Sequence, residues 1–146
     1  MKVIAVDTGN KQIKTENLTF VSGILSDTNA SLASADEIFR INGKTFSLAR
    51  ERQPYLRDKT INDRYFNLVM LAIAKELEMD EEYKKADHNK DEVHDIHLLL
   101  GLPPVHMKDS ALKNRFSAYF KTSEVVKVGY KNKTWNIFIK KVTIYA

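Results

Sequence analysis

The residues near the amino terminus that are best suited to chemistry follow a short apolar run. Residues 3–6 are Val-Ile-Ala-Val, residues 7–11 read Asp-Thr-Gly-Asn-Lys, and a lysine stands at position 14. The pattern predicts a buried strand, a tight turn and a returning strand. A plain β-hairpin with a polar tip is one interpretation of it. A hairpin whose tip binds phosphate is the other.

The second interpretation rests on the residue types in the turn. A phosphate site needs converging backbone N–H groups, a cation and a carboxylate that holds magnesium directly or through water. Gly9 tolerates a positive φ, so a turn there can direct successive amides inward. Thr8 and Asn10 add side-chain hydrogen-bonding groups, and the flexible side chain of Lys14 can reach back over the tip. Asp7, at the end of the strand, is placed to face a cation.

Three strands and a second hairpin are expected in the first third of the chain. The strands are predicted over residues 2–7, 12–16 and 18–24, and a polar surface loop over residues 25–36. The hairpin joins residues 37–41 to residues 44–48 through Asn42-Gly43, the strongest short-range signal for this motif.

Helices and strands alternate in the rest of the chain. Residues 60–63 resemble a helix amino-terminal cap, with Asp63 placed for the positive end of the helix dipole. Apolar residues at helical spacing follow, namely Tyr65, Leu68, Val69, Ala72, Ile73 and Leu77. A strand at 94–101, a helix at 109–120 and strands at 124–130, 134–139 and 142–145 complete the series. This order predicts an α/β fold in which helices pack on a mixed sheet with a hairpin insertion.

Composition excludes several classes of protein. The 146 residues include no cysteine, so disulfides and thiolate metal sites are excluded. The first apolar run is too short for a signal peptide or a membrane span, and we expect a cytoplasmic protein. The net charge of +4 is unevenly distributed, because residues 75–95 are acidic and residues 105–146 are basic. Solvated faces explain this distribution most simply, although opposed patches can also guide self-association.

Three other signals are set aside. Residues 87–91 imitate the start of a calcium loop, but the sixth and twelfth positions of that loop, Glu92 and Leu98, do not fit. His94 and His97 would point to opposite faces of a strand, so we predict structural histidines there. Trp135 alternates with apolar residues, which predicts a packed strand face.

The segment VDTGNKQIK resembles the first phosphate loop of the actin and sugar-kinase superfamily. The segments NDRYFNLVMLAIAKEL and HLLLGLPPVHMKDSALKNRF resemble bacterial actin-like proteins of the plasmid-segregation (ParM/StbA) type. The similarity follows the amino-terminal half of that family over nearly the whole chain. It implies a ribonuclease H-like, actin-like ATPase subdomain. We therefore expect residues 1–146 to be domain I of a longer protein, truncated before its second half.

The resemblance also implies a role for each residue of the tip. Asp7 matches the aspartate that holds magnesium through its water shell. Gly9 and Asn10 match positions that contact the terminal phosphate, and Lys14 matches the lysine on the nucleotide's phosphates. Thr8 and Lys11 match variable positions of the loop, so their roles are less definite. The implied phosphate-binding set is Asp7, Thr8, Gly9, Asn10, Lys11 and Lys14. No catalytic residue is expected within these 146 residues.

The implied parent is an ATPase that forms nucleotide-dependent filaments in plasmid or DNA segregation. Its cofactor would be ATP or GTP with magnesium, and its partners further copies of itself and a DNA-bound adaptor protein. We do not expect direct binding to nucleic acid or to a membrane. Two alternatives stay open at this point. The chain is part of a sugar- or acetate-kinase-type phosphotransferase, or it is a stand-alone basic binding module.

Overall fold

A single mixed sheet organises the computed structural model. The structure describes residues 1–9, 11–26, 38–49, 53–54, 59–60, 62–84, 92–102 and 104–145. The strands of this part are β1 (Lys2–Thr8), β2 (Gln12–Lys14), β3 (Thr19–Val21), β4 (Ile24–Ser26), β5 (Ile38–Ile41), β6 (Lys44–Leu48), β7 (Val93–Gly101), β8 (Val126–Tyr130) and β9 (Lys133–Tyr145). Its helices are α1 (Arg64–Met79), α2 (Glu81–Lys84), α3 (Pro104–Met107) and α4 (Ser110–Phe120).

The strand order in this sheet is β3-β2-β1-β7-β9-β8-β5-β6-β4. The neighbouring strands β1, β7 and β9 are parallel, and every other neighbouring pair is antiparallel. The predicted α/β fold with a mixed sheet is therefore confirmed. The two outermost strands, β3 and β4, follow each other in the chain and are separated only by Ser22 and Gly23.

Helix α1 packs across the sheet. It contacts β1 and β2 on one side of the β7–β9 pair and β8 and β5 on the other. Residues 68–74 of the helix have no exposed surface at all. A helix enclosed in this way must be apolar around its whole circumference, which explains why its apolar residues exceed a single stripe. The Lys75 ammonium lies over the rings of Phe20 in β3 and Tyr130 in β8, so both halves of the sheet meet at one residue.

The cap predicted for α1 is only partly correct. Asp63 occupies the N-cap position, but its side chain makes no capping hydrogen bond. Asn62 instead accepts a hydrogen bond from the Arg64 amide through its side-chain oxygen, at 3.0 Å. At α4 a side-chain cap is present, because the Asp109 carboxylate accepts a hydrogen bond from the Leu112 amide at 3.1 Å.

The final strand is longer than predicted. Residues 134–139 and 142–145 were expected as two strands, and both belong to the 13-residue β9. A register shift opposite Ile96 and His97 skips Lys140, which is the extra residue of a β-bulge. The bulge absorbs the consecutive lysines that interrupt the apolar alternation, so the strand continues through them.

The Asn42-Gly43 hairpin is confirmed. Both residues have positive φ, 48° and 88°, as the tight turn requires. The hairpin does not stand apart from the sheet, because Arg40 and Ile41 of β5 pair with β8. Of the loop predicted at 25–36, residues 25 and 26 belong to β4, and the remainder lies outside the described residues.

Oppositely charged segments partly neutralise each other inside the fold. Lys133 of β9 forms an ion pair with Glu78 of α1 at 2.8 Å, and Lys140 lies 3.9 Å from Asp95. Ion pairs with the acidic segment, residues 75–95, therefore neutralise part of the positive charge of the carboxy-terminal third. Within the described part of the chain, no helix combines the length and the apolar character needed to span a bilayer.

Candidate phosphate-binding site

The carboxyl ends of the three parallel strands meet at one edge of the sheet. Asp7 of β1 pairs with Gly101 of β7, and Gly101 pairs with Tyr145 of β9. In open α/β sheets, ligands bind outside the carboxyl ends of parallel strands. The predicted tip of the first hairpin lies at this edge, because it begins where β1 ends.

Asp7 and Lys14 are direct cross-strand partners in the hairpin of β1 and β2. Residues opposite each other on antiparallel strands share a face of the sheet, with Cβ atoms about 5 Å apart. Both side chains are exposed. Within the described residues, no ion pair joins them. The structure thus brings together the predicted magnesium carboxylate and the predicted phosphate lysine and leaves both open to a ligand.

Gly9 does not have the positive φ that the turn pattern suggested, and Gly43 is the glycine in the left-handed region. A Cβ atom added to Gly9 would lie 2.6 Å from the main-chain oxygen of Gln12. The residue is glycine because the returning strand passes too close for a side chain.

Thr8 faces inward from the tip and is 1% exposed. Its carbonyl oxygen accepts a short hydrogen bond from the Lys59 ammonium, whose nitrogen lies 3.3 Å from the threonine hydroxyl oxygen. Lys59 belongs to the segment that precedes α1, and the sequence did not predict it as a site residue. No motif or spacing links a lysine to a threonine 51 positions earlier, so only the three-dimensional structure reveals the contact.

The remaining predicted residues lie at the turn itself. The Lys11 side chain is exposed, and its main-chain oxygen accepts a hydrogen bond from the Ser22 amide at 3.0 Å. This bond ties the tip to the corner between β3 and β4. Asn10 lies outside the described residues, as does the calcium-like segment 87–91.

A buried carboxylate fixes the other end of the hairpin. Glu76 of α1 is 6% exposed. It accepts hydrogen bonds from the Thr15 hydroxyl at 2.5 Å and from the amide and side chain of Asn17, each at 3.0 Å. Burial alone would raise the pKa of Glu76, but these hydrogen bonds outweigh it and hold the pKa below the ordinary value of 4.5. The ionised carboxylate thus anchors the turn between β2 and β3.

The segment after β7 closes the same edge of the sheet. The Leu102 amide donates to the Tyr145 carbonyl at 2.9 Å, which extends the parallel pairing one residue beyond β7. The Tyr145 ring lies over Gly101, at 3.5 Å from the position of a Cβ atom. The strand therefore ends in the Gly-Leu segment, and α3 and α4 follow it in the predicted order.

His94, His97 and Trp135 lie away from this edge. His94 is buried between Tyr83 and Trp135, with each pair of ring centroids 5.6 Å apart. Trp135 has no exposed surface, which confirms its predicted place in the core. His97 faces the other side of the sheet and hydrogen-bonds the Thr143 hydroxyl at 2.8 Å. Within the described residues, no group of three or more His, Cys, Asp or Glu side chains is arranged to hold a metal.

No protein-family model and no curated protein sequence matches the chain. Solved structures do superpose on it. The apo pSK41 ParM protein covers 99% of the chain with a TM-score of 0.70 at 18% identity, and the chain covers 49% of that protein. The fold is actin-like. Ta0583, an archaeal actin homolog in complex with ADP, covers 99% with a TM-score of 0.65 at 14% identity, and the chain covers 43% of it.

A filament structure shares the same fold. The AlfA filament bound to AMPPNP covers 100% of the chain with a TM-score of 0.63 at 15% identity, and the chain covers 54% of that protein. The chain thus spans about half the length of the actin-like proteins it matches. The actin-like fold predicted from the three sequence segments is confirmed.

Proposed function

We propose that residues 1–146 are the amino-terminal half of an actin-like ATPase that forms nucleotide-dependent filaments in plasmid or DNA segregation. In this proposal the chain contributes the first phosphate-binding loop of the nucleotide cleft. The observation that carries the proposal is the cross-strand pair of Asp7 and Lys14 at the carboxyl edge of an actin-like sheet.

The residues of the tip suit a nucleotide with magnesium. A magnesium ion, when bound, neutralises phosphate charge and orients the terminal phosphate for attack by water. Asp7 supplies an exposed carboxylate that can hold the ion's water shell, and Lys14 supplies an ammonium on the same face. Gly9 has no side chain, so a phosphate can approach its backbone amide closely. Asn10 and Lys11 complete the set proposed from the sequence.

Hydrolysis belongs to the intact parent in this proposal. A second phosphate loop, the adenosine pocket and the residue that orients water are expected in the other half. The 146-residue chain alone should therefore hydrolyse ATP no faster than background. The proposed partners of the parent are further copies of itself and a DNA-bound adaptor protein, and its proposed location is the cytoplasm.

Binding and assembly of the parent protein test the proposal. Titration with ATP, with and without magnesium, measures affinity for the wild-type protein and for the variants Asp7→Ala and Lys14→Ala. Lys127→Ala is the matched control, because Lys127 is an equally exposed lysine on β8, three strands away from β1. Sedimentation with and without nucleotide measures filament formation.

We expect both tip variants to lose magnesium–ATP affinity and nucleotide-dependent sedimentation, with their melting temperatures nearly unchanged. Charge-assisted hydrogen bonds to phosphate are about twice as strong as neutral ones. Unchanged affinity in both variants would return the hairpin to a plain polar tip. Transfer of phosphate to a small acceptor would indicate a phosphotransferase instead. Tight, salt-sensitive binding of nucleic acid by the 146-residue chain would indicate a basic binding module.

A further inference from the structure

Lys59 is the cation that the sequence analysis missed at this site. Its ammonium donates to the carbonyl oxygen of Thr8, the last residue of β1, and lies 3.3 Å from the hydroxyl oxygen of the same residue. The ammonium also lies 5.1 Å from the centroid of the Tyr65 ring. The ammonium therefore lies at the carboxyl end of β1, where the proposed phosphate-binding tip begins.

The Lys59 ammonium is partly buried and has therefore lost part of its hydration. Burial lowers the pKa of this lysine, and the nearby Asp7 carboxylate opposes that effect. Among the residues that the structure describes, no carboxylate lies within ion-pair distance of its ammonium. A dehydrated cation that binds only neutral oxygens and an aromatic face gains most from an anion placed nearby.

The contact with Thr8 also fixes a peptide plane. In a trans peptide, the carbonyl of one residue and the N–H of the next point in opposite directions. Lys59 holds the Thr8 carbonyl on its own side, so the N–H of Gly9 is turned to the other side. The close approach of the Gln12 oxygen to Gly9 restricts that segment further. The orientation of the first amide of the tip thus depends on a residue outside the hairpin.

We propose that Lys59 is a positioning residue of the phosphate site, which turns the Gly9 N–H toward a bound phosphate and supplies a positive charge behind it. This inference rests on the proposed function, because it assumes that residues 7–14 bind phosphate. The ligand that it implies is a polyphosphate anion. In this proposal Lys59 acts from the end of β1, and Lys14 acts from the returning strand β2.

Amide spectra of the parent protein, which contains the complete proposed cleft, test the proposal. The probe is inorganic tripolyphosphate with magnesium, titrated into ¹⁵N-labelled protein and followed by the chemical shift of the Gly9 amide. In the wild-type protein we expect this amide to shift with saturation. In Lys59→Met we expect the Gly9 shift to be lost and the affinity to fall by about ten-fold, as for loss of a hydrogen bond to a charged group. Lys59→Arg should restore the Gly9 shift.

The variant Lys59→Gln distinguishes the effect of the lysine charge from the effect of its hydrogen bond to Thr8. A glutamine amide can still donate to the Thr8 carbonyl, so we expect the Gly9 shift to remain while the affinity falls. This variant also keeps the test decisive if Lys59→Met fails to fold. Wild-type affinity in Lys59→Gln would overturn the role of the charge. The matched control is Lys127→Met, which removes the same charge from β8 and should leave both readouts unchanged.

Two outcomes distinguish this proposal from the proposed function. If wild type and Lys59→Met show the same Gly9 shift and affinity while Lys14→Ala loses affinity, the role of Lys59 is wrong and the phosphate site stands. If wild type shows no shift at residues 8–14 with millimolar tripolyphosphate, the phosphate site and the role of Lys59 are both wrong. Equal loss of affinity in Lys59→Met and Lys59→Arg, with altered spectra throughout, would make Lys59 a purely structural residue.

Discussion

The Tyr119 hydroxyl accepts a hydrogen bond from the Phe66 amide at 3.1 Å, so a side chain of α4 caps the first turn of α1. The same hydroxyl donates a short hydrogen bond to the main-chain oxygen of Asn62. Amides in the first turn of a helix have no partner within the helix. Here the partner comes from 53 residues further along the chain. The capping group therefore forms only when α1 and α4 are packed together.

Replacing Tyr119 with phenylalanine should destabilise the protein by about 1–2 kcal/mol, because a capping acceptor and its own hydrogen bond are both lost. Chemical denaturation followed by circular dichroism measures the change. Tyr145→Phe is the matched control, since that tyrosine is 42% exposed. It should change stability by less than about 0.5 kcal/mol. Equal effects of the two variants would contradict the capping role.

Alkaline pH should weaken the fold through the same hydroxyl. Burial raises the pKa of Tyr119 from 10.0 to about 12, against the opposing effect of the Phe66 hydrogen bond. A phenol whose folded-state pKa is raised contributes stability in full below its unfolded pKa. That contribution is lost as the pH rises from about 10 toward 12. We expect Tyr119→Phe to lose less stability than wild type over this interval. Parallel pH profiles of the two proteins would contradict the assignment.

Replacing Glu76 with glutamine should release the turn between β2 and β3. The carboxylate accepts three hydrogen bonds, from the Thr15 hydroxyl and from the amide and side chain of Asn17. In glutamine an NH₂ donor replaces one of the two accepting oxygens, so one of these donors would face another donor. We expect a loss of about 1–3 kcal/mol in the free energy of unfolding at neutral pH. Glu81→Gln on the exposed face of α2 is the control and should have little effect.

The dependence of the free energy of unfolding on acidic pH should reflect the ionisation of Glu76. Its pKa in the folded state is below the ordinary value of 4.5. A depressed carboxyl pKa contributes stability that is present above about pH 4.5 and is lost as the pH falls through the folded-state pKa. Wild type should therefore lose more stability than Glu76→Gln on acidification. Denaturant melts at a series of acidic pH values measure this difference, and identical slopes would count against it.

Alanine at Gly9 should be far more harmful than alanine at Gly101. A Cβ atom at Gly9 would lie 2.6 Å from a main-chain oxygen, whereas at Gly101 it would make ordinary contacts of 3.5 Å with the Tyr145 ring. We expect Gly9→Ala to cost about 1–3 kcal/mol or to displace the tip, and Gly101→Ala to cost less than about 1 kcal/mol. Melting temperatures of both variants measure the contrast, and a reversed order would refute the close-approach explanation.

The sequence predicted those structural elements that are determined by residues close to one another in the chain. The Asn42-Gly43 turn, the helical spacing from Tyr65 to Leu77 and the apolar run of β7 each depend on neighbours in the sequence, and each element is present. The bulge at Lys140 was not predicted, because its register is set by pairing with β7. The same holds for the pairing of β5 with β8, which joins segments more than 80 residues apart.

The candidate site divides in the same way. Asp7, Gly9 and Lys14 belong to one hairpin, so their types and spacing reveal them. Lys59 acts on a residue 51 positions away, and nothing in its immediate sequence marks it. The need for Gly9 was recognised from the turn pattern, but its cause is the Gln12 oxygen, which only the three-dimensional structure reveals.

The strand order of the sheet has a consequence for folding. Lys2 of β1 pairs with Ile96 of β7, so the central parallel pair joins segments separated by roughly ninety residues. During synthesis, β1 to β6 and the apolar α1 emerge before β7, β8 and β9, the three strands that link β1 to β5 in the sheet. Until these strands have emerged, β1 and β5 each have an unpaired edge, and α1 lacks its contacts with β8. We therefore expect the nascent chain to be most prone to aggregation in the interval before β9 leaves the ribosome.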